Sequence, residues 1–212
     1  RSGRTLGVDT ETPDRAAFRR LFRNRQVWLL SALCFLGFSL YLFLNSWLPS
    51  YLAEGLGLSL AASGLLTALF PAVGIVARTS CGLVSDRLFG GRRRPVVVGA
   101  FLVATPGVAA FAFATTVPAI IALLVVVGFA VQTTLGLLFT YVAEVVDPAV
   151  RSTAVALLTS MGLLGAFVAP LGAGVLIENA GYGPAFLVGG AVAAVGILVA
   201  WWAPEASSAD PA

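Results

Sequence analysis

The chain is 212 residues long, 58% hydrophobic and only 11% charged, with a mean hydropathy of +0.94. Soluble domains carry roughly a quarter charged residues, so this composition excludes a water-soluble globular protein and predicts an all-α integral membrane protein. All thirteen basic residues are arginine, the net charge is +3, and histidine is absent, which excludes histidine acid/base relays, histidine-type zinc sites and serine-histidine hydrolases.

In chain order, residues 1–17 read as a cytoplasmic linker, polar from Arg1 to Glu11 and then opening a short helix with Thr12 as N-cap and Pro13 at the first position. In that helix Phe18, Leu21 and Phe22 share one face while Arg15, Arg19, Arg20 and Arg23 cover the rest. It suits either the surface of an anionic leaflet or a solvated lead-in. A transmembrane domain follows over 18–203, with six apolar runs at 27–51, 60–84, 95–114, 118–142, 153–177 and 184–202. Each approaches the roughly 20 residues that cross a hydrocarbon core, and runs of this length without period-2 alternation are helices, not strands. Residues 204–212 form a short polar tail. A chain that opens on Arg1 and has Met161 as its only methionine is expected to be part of something longer.

Arginine placement orients the runs. Seven arginines precede the first run, four lie between the second and third, and Arg151 lies between the fourth and fifth, whereas the opposite turns hold only Glu54 and Glu178. By the positive-inside rule the arginine side is cytoplasmic, and six spans bring both termini there, in a cell-membrane protein. Trp28, Trp47, Trp201 and Trp202 all fall at run ends, where interfacial anchoring places this residue. Cys34 and Cys81 stand alone within apolar runs and read as packing residues. No metal or cofactor is expected.

One residue breaks the pattern: Arg78 lies inside the second run, roughly 12 Å deeper than Asp86 at about 1.5 Å per residue. Thr67, Pro71, Gly74, Arg78 and Gly82 fall along one side of that helix, and Leu69, Val73, Val76 and Leu83 lie roughly opposite. Small residues mark where membrane helices approach one another, so the Arg78 face is expected to look into the bundle. An ionisable group at that depth is a functional-site candidate; the alternative is an arginine that snorkels to the headgroups. Further polar side chains gather on the first run (Ser39, Tyr41, Asn45), the fourth (Gln132, Thr133, Thr134) and the fifth (Thr159, Ser160). In the fifth, Gly162, Gly165, Pro170, Gly172 and Gly174 permit either bending or close packing.

Gly82-x-x-x-Asp86-Arg87, followed by Gly90-Gly91-Arg92-Arg93, resembles the cytoplasmic loop signature of the major facilitator superfamily, with one extra residue ahead of the glycines. Glu144-x-x-x-Pro148-x-x-Arg151 before Ser152-Thr153 is similar to the loop preceding the eleventh helix of those transporters. The resemblance runs from about Arg20 to Trp202. It implies the C-terminal half of a twelve-helix bundle, partnered by an N-terminal six-helix half and the lipid bilayer, with no nucleic-acid partner. It also implies that helices one, two, four and five of the half line the translocation path. Gly82, Asp86, Arg87, Arg92 and Arg93 would then form a conformational latch, with Glu144 and Arg151 as candidate partners. Gly82 would admit a close helix crossing and Asp86 would bond a neighbouring helix N-terminus.

The eight-residue step from Arg78 to Asp86 looks like the eighth helix of nitrate/nitrite porters, in which the corresponding arginine binds the anion. Trp47-Leu-Pro-Ser-Tyr-Leu52 looks like cyanate and organic-anion transporters of the same superfamily. The expectation is a secondary transporter for a small anionic substrate held by Arg78 with Tyr41, Asn45 and Gln132 as hydrogen-bonding neighbours. A multidrug or hydrophobic-solute exporter and a non-transporting membrane anchor stay open as alternatives. An enzyme is not expected, because paired intramembrane carboxylates and a phosphate-cradling loop are both missing from the sequence. No Asp or Glu lies deep in a span, so this half offers no evident proton carrier.

Overall fold

A computed structural model describes residues 15–205; the linker residues before Arg15, including the Thr12-Pro13 helix start, and the end of the tail lie outside the described residues. Seven α-helices follow in order: α1 (Arg15–Arg23), α2 (Arg25–Ser50), α3 (Leu60–Phe89), α4 (Arg93–Ala110), α5 (Val117–Val145), α6 (Arg151–Ala180) and α7 (Tyr182–Trp201). A π-helical turn, Tyr51–Gly55, extends α2, and a 3-10 turn, Pro148–Val150, precedes α6. The start signals are local. Asn24 accepts from the Gln26 amide at 2.9 Å, Ser59 from Ala62 at 3.2 Å and Asp147 from Ala149 at 2.9 Å, each satisfying an amide that the following turn leaves free.

The six apolar runs correspond to α2–α7, but the helices continue beyond them. α3 runs through Ser85, Asp86 and Arg87 to Phe89, and α4 starts at Arg93, so the expected ten-residue turn shrinks to three residues. Gly90 (φ 59°) and Gly91 (φ 81°) make that turn in the left-handed region, where other residues meet a Cβ clash. The extra residue in the loop signature is therefore one more helical position before the glycine cap. Opposite in sense, α4 stops at Ala110, and Phe111–Phe113 form tight i→i+3 turns instead of helix. The spans Arg25–Gly55, Leu60–Phe89, Val117–Val145, Pro148–Ala180 and Tyr182–Trp201 are long and apolar enough to cross a membrane. α4, at 18 residues and opening on two arginines, is packed among them.

α2 lies along α6, α4 along α7 and α3 along α5, while α2 and α5 also meet each other near the centre of the bundle. Glycine sets the spacing. A Cβ at Gly165 would overlap the Phe35 carbonyl oxygen, one at Gly162 would come within 2.9 Å of Cys34 Sγ, and one at Gly174 would sit 2.8 Å from the Trp47 ring. Close packing of α6 on α2 therefore accounts for three of the fifth-run glycines; Gly172 faces open space. Trp47 also donates its indole N–H to the Pro170 carbonyl at 3.0 Å. α3 and α6 are the least covered of the spans.

The two ends are tied differently. At the arginine-bearing end, α1 packs on the 3-10 turn with Leu21 buried, whereas Phe22 stays 47% exposed and accepts the Trp28 indole N–H at its carbonyl. The Tyr141 hydroxyl bonds the Pro204 carbonyl and anchors the chain just past α7. At the other end Tyr51 meets the carbonyls of Phe111 (2.9 Å) and Ala114 (2.8 Å), and Tyr182 donates to Glu54 at 2.8 Å. Phe186 fills the space among Tyr51, Phe43 and Phe111 at centroid separations of 4.9–5.5 Å.

Candidate functional site

The packed stripe of α3 is Ser63, Thr67, Phe70, Gly74, Ala77, Cys81 and Ser85, spaced by three and four residues and pressed on α5. Gly136 of α5 allows that approach: a Cβ there would come within 3.2 Å of the Arg78 Cα and 3.0 Å of Cys81 Sγ. Arg78 itself lies next to the stripe and is exposed on the flank it shares with Pro71. The expected inward face is thus split: Thr67 and Gly74 point into the half, while Pro71 and Arg78 border its open side. A Cβ at Gly82 would meet no described residue within 4 Å, so Gly82 does not serve a close helix crossing among the described helices of this half.

Three of the four predicted ligand-binding side chains converge. Arg78 Nε donates to Gln132 Oε1 at 3.0 Å, and its guanidinium stands over the Tyr41 ring at 5.7 Å. Gln132 is 2% exposed and is held from its other end, where Nε2 donates to the Phe70 carbonyl at 2.9 Å. The Tyr41 ring stacks on Phe70 with a centroid separation of 5.8 Å. Asn45 sits one turn further along α2 and donates to the Tyr41 carbonyl at 2.8 Å, so its amide is turned back on its own helix and does not reach Arg78.

Two further groups build the site besides the predicted ligand-binding side chains. The Phe70 carbonyl fixes the Gln132 amide, and Gly74 leaves the volume that this amide occupies, since any Cβ there would overlap it. The glycine lay on the right face in the sequence; its partner on α5 depends on the α3–α5 register, which no local pattern reports. Arg78 forms no ion pair with a carboxylate among the described residues. Its Nε is occupied, and neither terminal nitrogen donates to a described residue. A guanidinium in that condition presents the flat two-donor edge that matches a carboxylate or a similar oxoanion.

The charged loop forms a second cluster at the arginine-bearing end. Arg93 donates to Asp86 at 2.9 Å and grips Glu144 with Nη2 at 3.0 Å and Nε at 3.2 Å, joining α3, α4 and α5. Ser85 fastens the same turn by donating to the Arg92 carbonyl at 2.9 Å. Glu144 therefore has an arginine partner within this half. Asp86, in contrast, bonds the side chain of Arg93 and not a helix N-terminus. Arg151 bonds the Ala143 carbonyl at 2.9 Å in place of a carboxylate, because the 3-10 turn folds it back over the end of α5. Arg87 and Arg92 are exposed and have no carboxylate partner among the described residues.

An apolar groove of about 270 Å³ between α2, α6 and α7, lined by Phe35, Phe43, Val168, Gly189 and Val192, contains none of these residues. With Ser39 as its one hydroxyl-bearing wall, it lacks the convergent polar groups that orient a polar solute.

The sequence profile of the Major Facilitator Superfamily matches residues 2–104 and 64–212, together nearly the whole chain. The chain belongs to the Major Facilitator Superfamily. Among its superfamily relatives is the cis,cis-muconate transport protein of Acinetobacter baylyi, 34% identical over 86% of this chain and 44% of the relative. A probable sulfoacetate transporter of Cupriavidus necator is 32% identical over 85% of this chain and 43% of its own length. The human organic anion transporter MFSD10 shares the fold, with a TM-score of 0.72 over 82% of this chain and 40% of that protein, at 20% identity. The chain spans less than half the length of these relatives. It is a multi-pass membrane protein of a transporter superfamily, built of apolar helices.

Proposed function

We propose that this chain is the C-terminal six-helix half of a transporter that moves a small organic anion by alternating access across the cell membrane, with its arginine-bearing end in the cytoplasm. The observation that carries the reading is Arg78: a cation within a span, held by Gln132 and Tyr41, with both terminal nitrogens open and no carboxylate partner among the described residues. An intramembrane cation is tolerated where it faces a cavity or a partner, and the open flank beside Pro71 is where an N-terminal half would close the path. Tyr41 and Gln132 complete the anion site, and Asn45 joins them if its amide turns outward. The names of the two relatives, for muconate and for sulfoacetate, agree with an organic anion.

The Asp86–Arg93–Glu144 bridge is the latch of this reading, since it ties α3, α4 and α5 at one end and can open as the halves rock. Gly82, Arg87, Arg92 and Arg151 contribute to it through contacts with the other half. Deep within the spans no carboxylate is present, so proton coupling falls to the N-terminal half, or the protein works as an exchanger.

Replacing Arg78 by Lys or Gln in the full transporter tests the proposal by counterflow of labelled organic anions in proteoliposomes. Losing one partner of a desolvated charge pair removes about 2–5 kcal/mol, so uptake falls at least about thirtyfold. Lys fails as well, because a point charge does not replace the fork. Unchanged kinetics in R78Q, or competition by hydrophobic cations and not by carboxylates, refutes it.

A further inference from the structure

Two arginines at the same end are engaged by neither the anion site nor the latch. Arg25, the first residue of α2, stands 5.7 Å over the ring of Trp202, and Arg94, in the first turn of α4, stands 5.4 Å over Trp201. The contrast with the preceding residue is instructive: Arg93 turns to two carboxylates, while Arg94, about 100° further round the helix, turns to an indole. Neither Arg25 nor Arg94 lies within ion-pair distance of a carboxylate among the described residues, and neither Trp201 nor Trp202 donates its indole N–H to one. A cation–π contact engages the face of the guanidinium and leaves its N–H groups able to donate to another acceptor. Among the described residues, the end of α7 thus carries two cations without an ion-pair partner and two indole donors without an acceptor.

The surroundings favour a lipid over a soluble anion. Trp201 and Trp202 are 63% and 65% exposed, and Val188, Val195 and Leu198 continue from Trp202 along α7 at helical spacing, all exposed. That makes an apolar track leading away from the cations, of the kind an acyl chain follows. The α7 end itself is held in place, because Tyr141 anchors Pro204 just beyond it. Glu205 is the acidic residue next to that anchor, exposed and unpaired with Arg94.

We propose that Arg25, Arg94, Trp201 and Trp202 form a binding site for the headgroup phosphate of an anionic phospholipid, whose acyl chain lies along Val188, Val195 and Leu198. The site is separate from substrate binding and stands whether or not Arg78 binds an anion. Basic pockets between membrane helices recognise such headgroups through these contacts.

The test uses the full transporter in detergent, with phosphatidylglycerol, phosphatidylcholine or inorganic phosphate added and both native mass spectrometry and thermal unfolding as readouts. Phosphatidylglycerol binds and raises the unfolding midpoint; phosphatidylcholine and phosphate do not. At about 1 kcal/mol per arginine near a membrane surface, the R25Q/R94Q variant weakens phosphatidylglycerol binding about thirtyfold. The W201F/W202F variant keeps the apolar rings and removes the indole donors, so it folds and loses binding severalfold. R19Q/R20Q, which changes two exposed arginines of α1, leaves it intact. Wild-type affinity in both the arginine and the tryptophan variants overturns the site. Stabilisation by phosphate alone makes it a soluble-anion site and overturns the lipid assignment, as does equal binding of phosphatidylcholine.

Discussion

Gly74→Ala is the substitution whose outcome the structure determines most sharply. The added methyl would overlap the Nε2, Cδ and Oε1 atoms of Gln132, so the amide has to leave its seat. Two hydrogen bonds go with it, one to the Phe70 carbonyl and one from Arg78 Nε. Side-chain bonds between membrane helices average about 0.6 kcal/mol and reach about 1.7, and overpacking adds about 1–3 kcal/mol; together they predict a destabilisation of about 2–4 kcal/mol. The control is Gly82→Ala two turns along the same helix, where a Cβ meets open space and the change is neutral or slightly stabilising. Thermal unfolding of the purified full transporter should order G82A with the parent and G74A well below it. In the double variant Gly74→Ala/Gln132→Ala the methyl has nothing to displace. A double-mutant cycle should therefore show that the second substitution recovers most of the overlap energy, with a coupling of about 1–3 kcal/mol. Equal stability of G74A and G82A, or strict additivity in the cycle, would refute the argument that Gly74 exists to seat Gln132.

Two further outcomes follow from the packing and the charge cluster. Gly165→Ala drives a methyl into the Phe35 carbonyl, a backbone atom with little freedom to yield, and should lower the unfolding midpoint by an amount corresponding to about 1–3 kcal/mol. Gly172→Ala, seven residues on and facing open space, should not, and a midpoint loss of equal size in both would show that glycine spacing does not set the α2–α6 distance. Arg93→Gln breaks both bridges of a side chain that is only 12% exposed. It should increase labelling of single cysteines placed at the arginine-bearing end of α3 and α5, whereas Arg87→Gln should leave labelling unchanged; identical labelling in the two variants would dismiss the latch.

Helix identity was legible because length and hydropathy alone demanded it, and Arg78 stood out because charge is expensive at that depth. Its grouping with Tyr41 and Gln132 was suggested by polar residues gathering on the first, second and fourth runs, which the family resemblance implies line one path. The contacts that the sequence does not report depend on register between helices. Gly82 and Gly74 are equivalent as letters on one face of α3, yet one looks into open space and the other yields its volume to Gln132. Similarly, Glu144 had several arginines within reach in sequence, and only the short Gly90–Gly91 turn brings Arg93, not Arg151, to its carboxylate. Helix ends differ from the apolar runs for a simpler reason: apolar content reports the hydrocarbon core, while α3 and α6 continue into the polar zone beyond it.

The brevity of α4 has a consequence for how this half fits its bilayer. From Pro95 to Ala110 its apolar part rises only about 24 Å at about 1.5 Å per residue, short of a hydrocarbon thickness of about 30 Å. Its last turn would thus end beneath the far interface, where stranded peptide oxygens meet oily tails with no water to satisfy them. The Tyr51 phenol, reaching across from the end of α2 to the Phe111 and Ala114 oxygens, supplies a donor at that depth. A neighbouring helix thereby completes a span that is too short by itself, and the membrane has less need to thin locally to accommodate it.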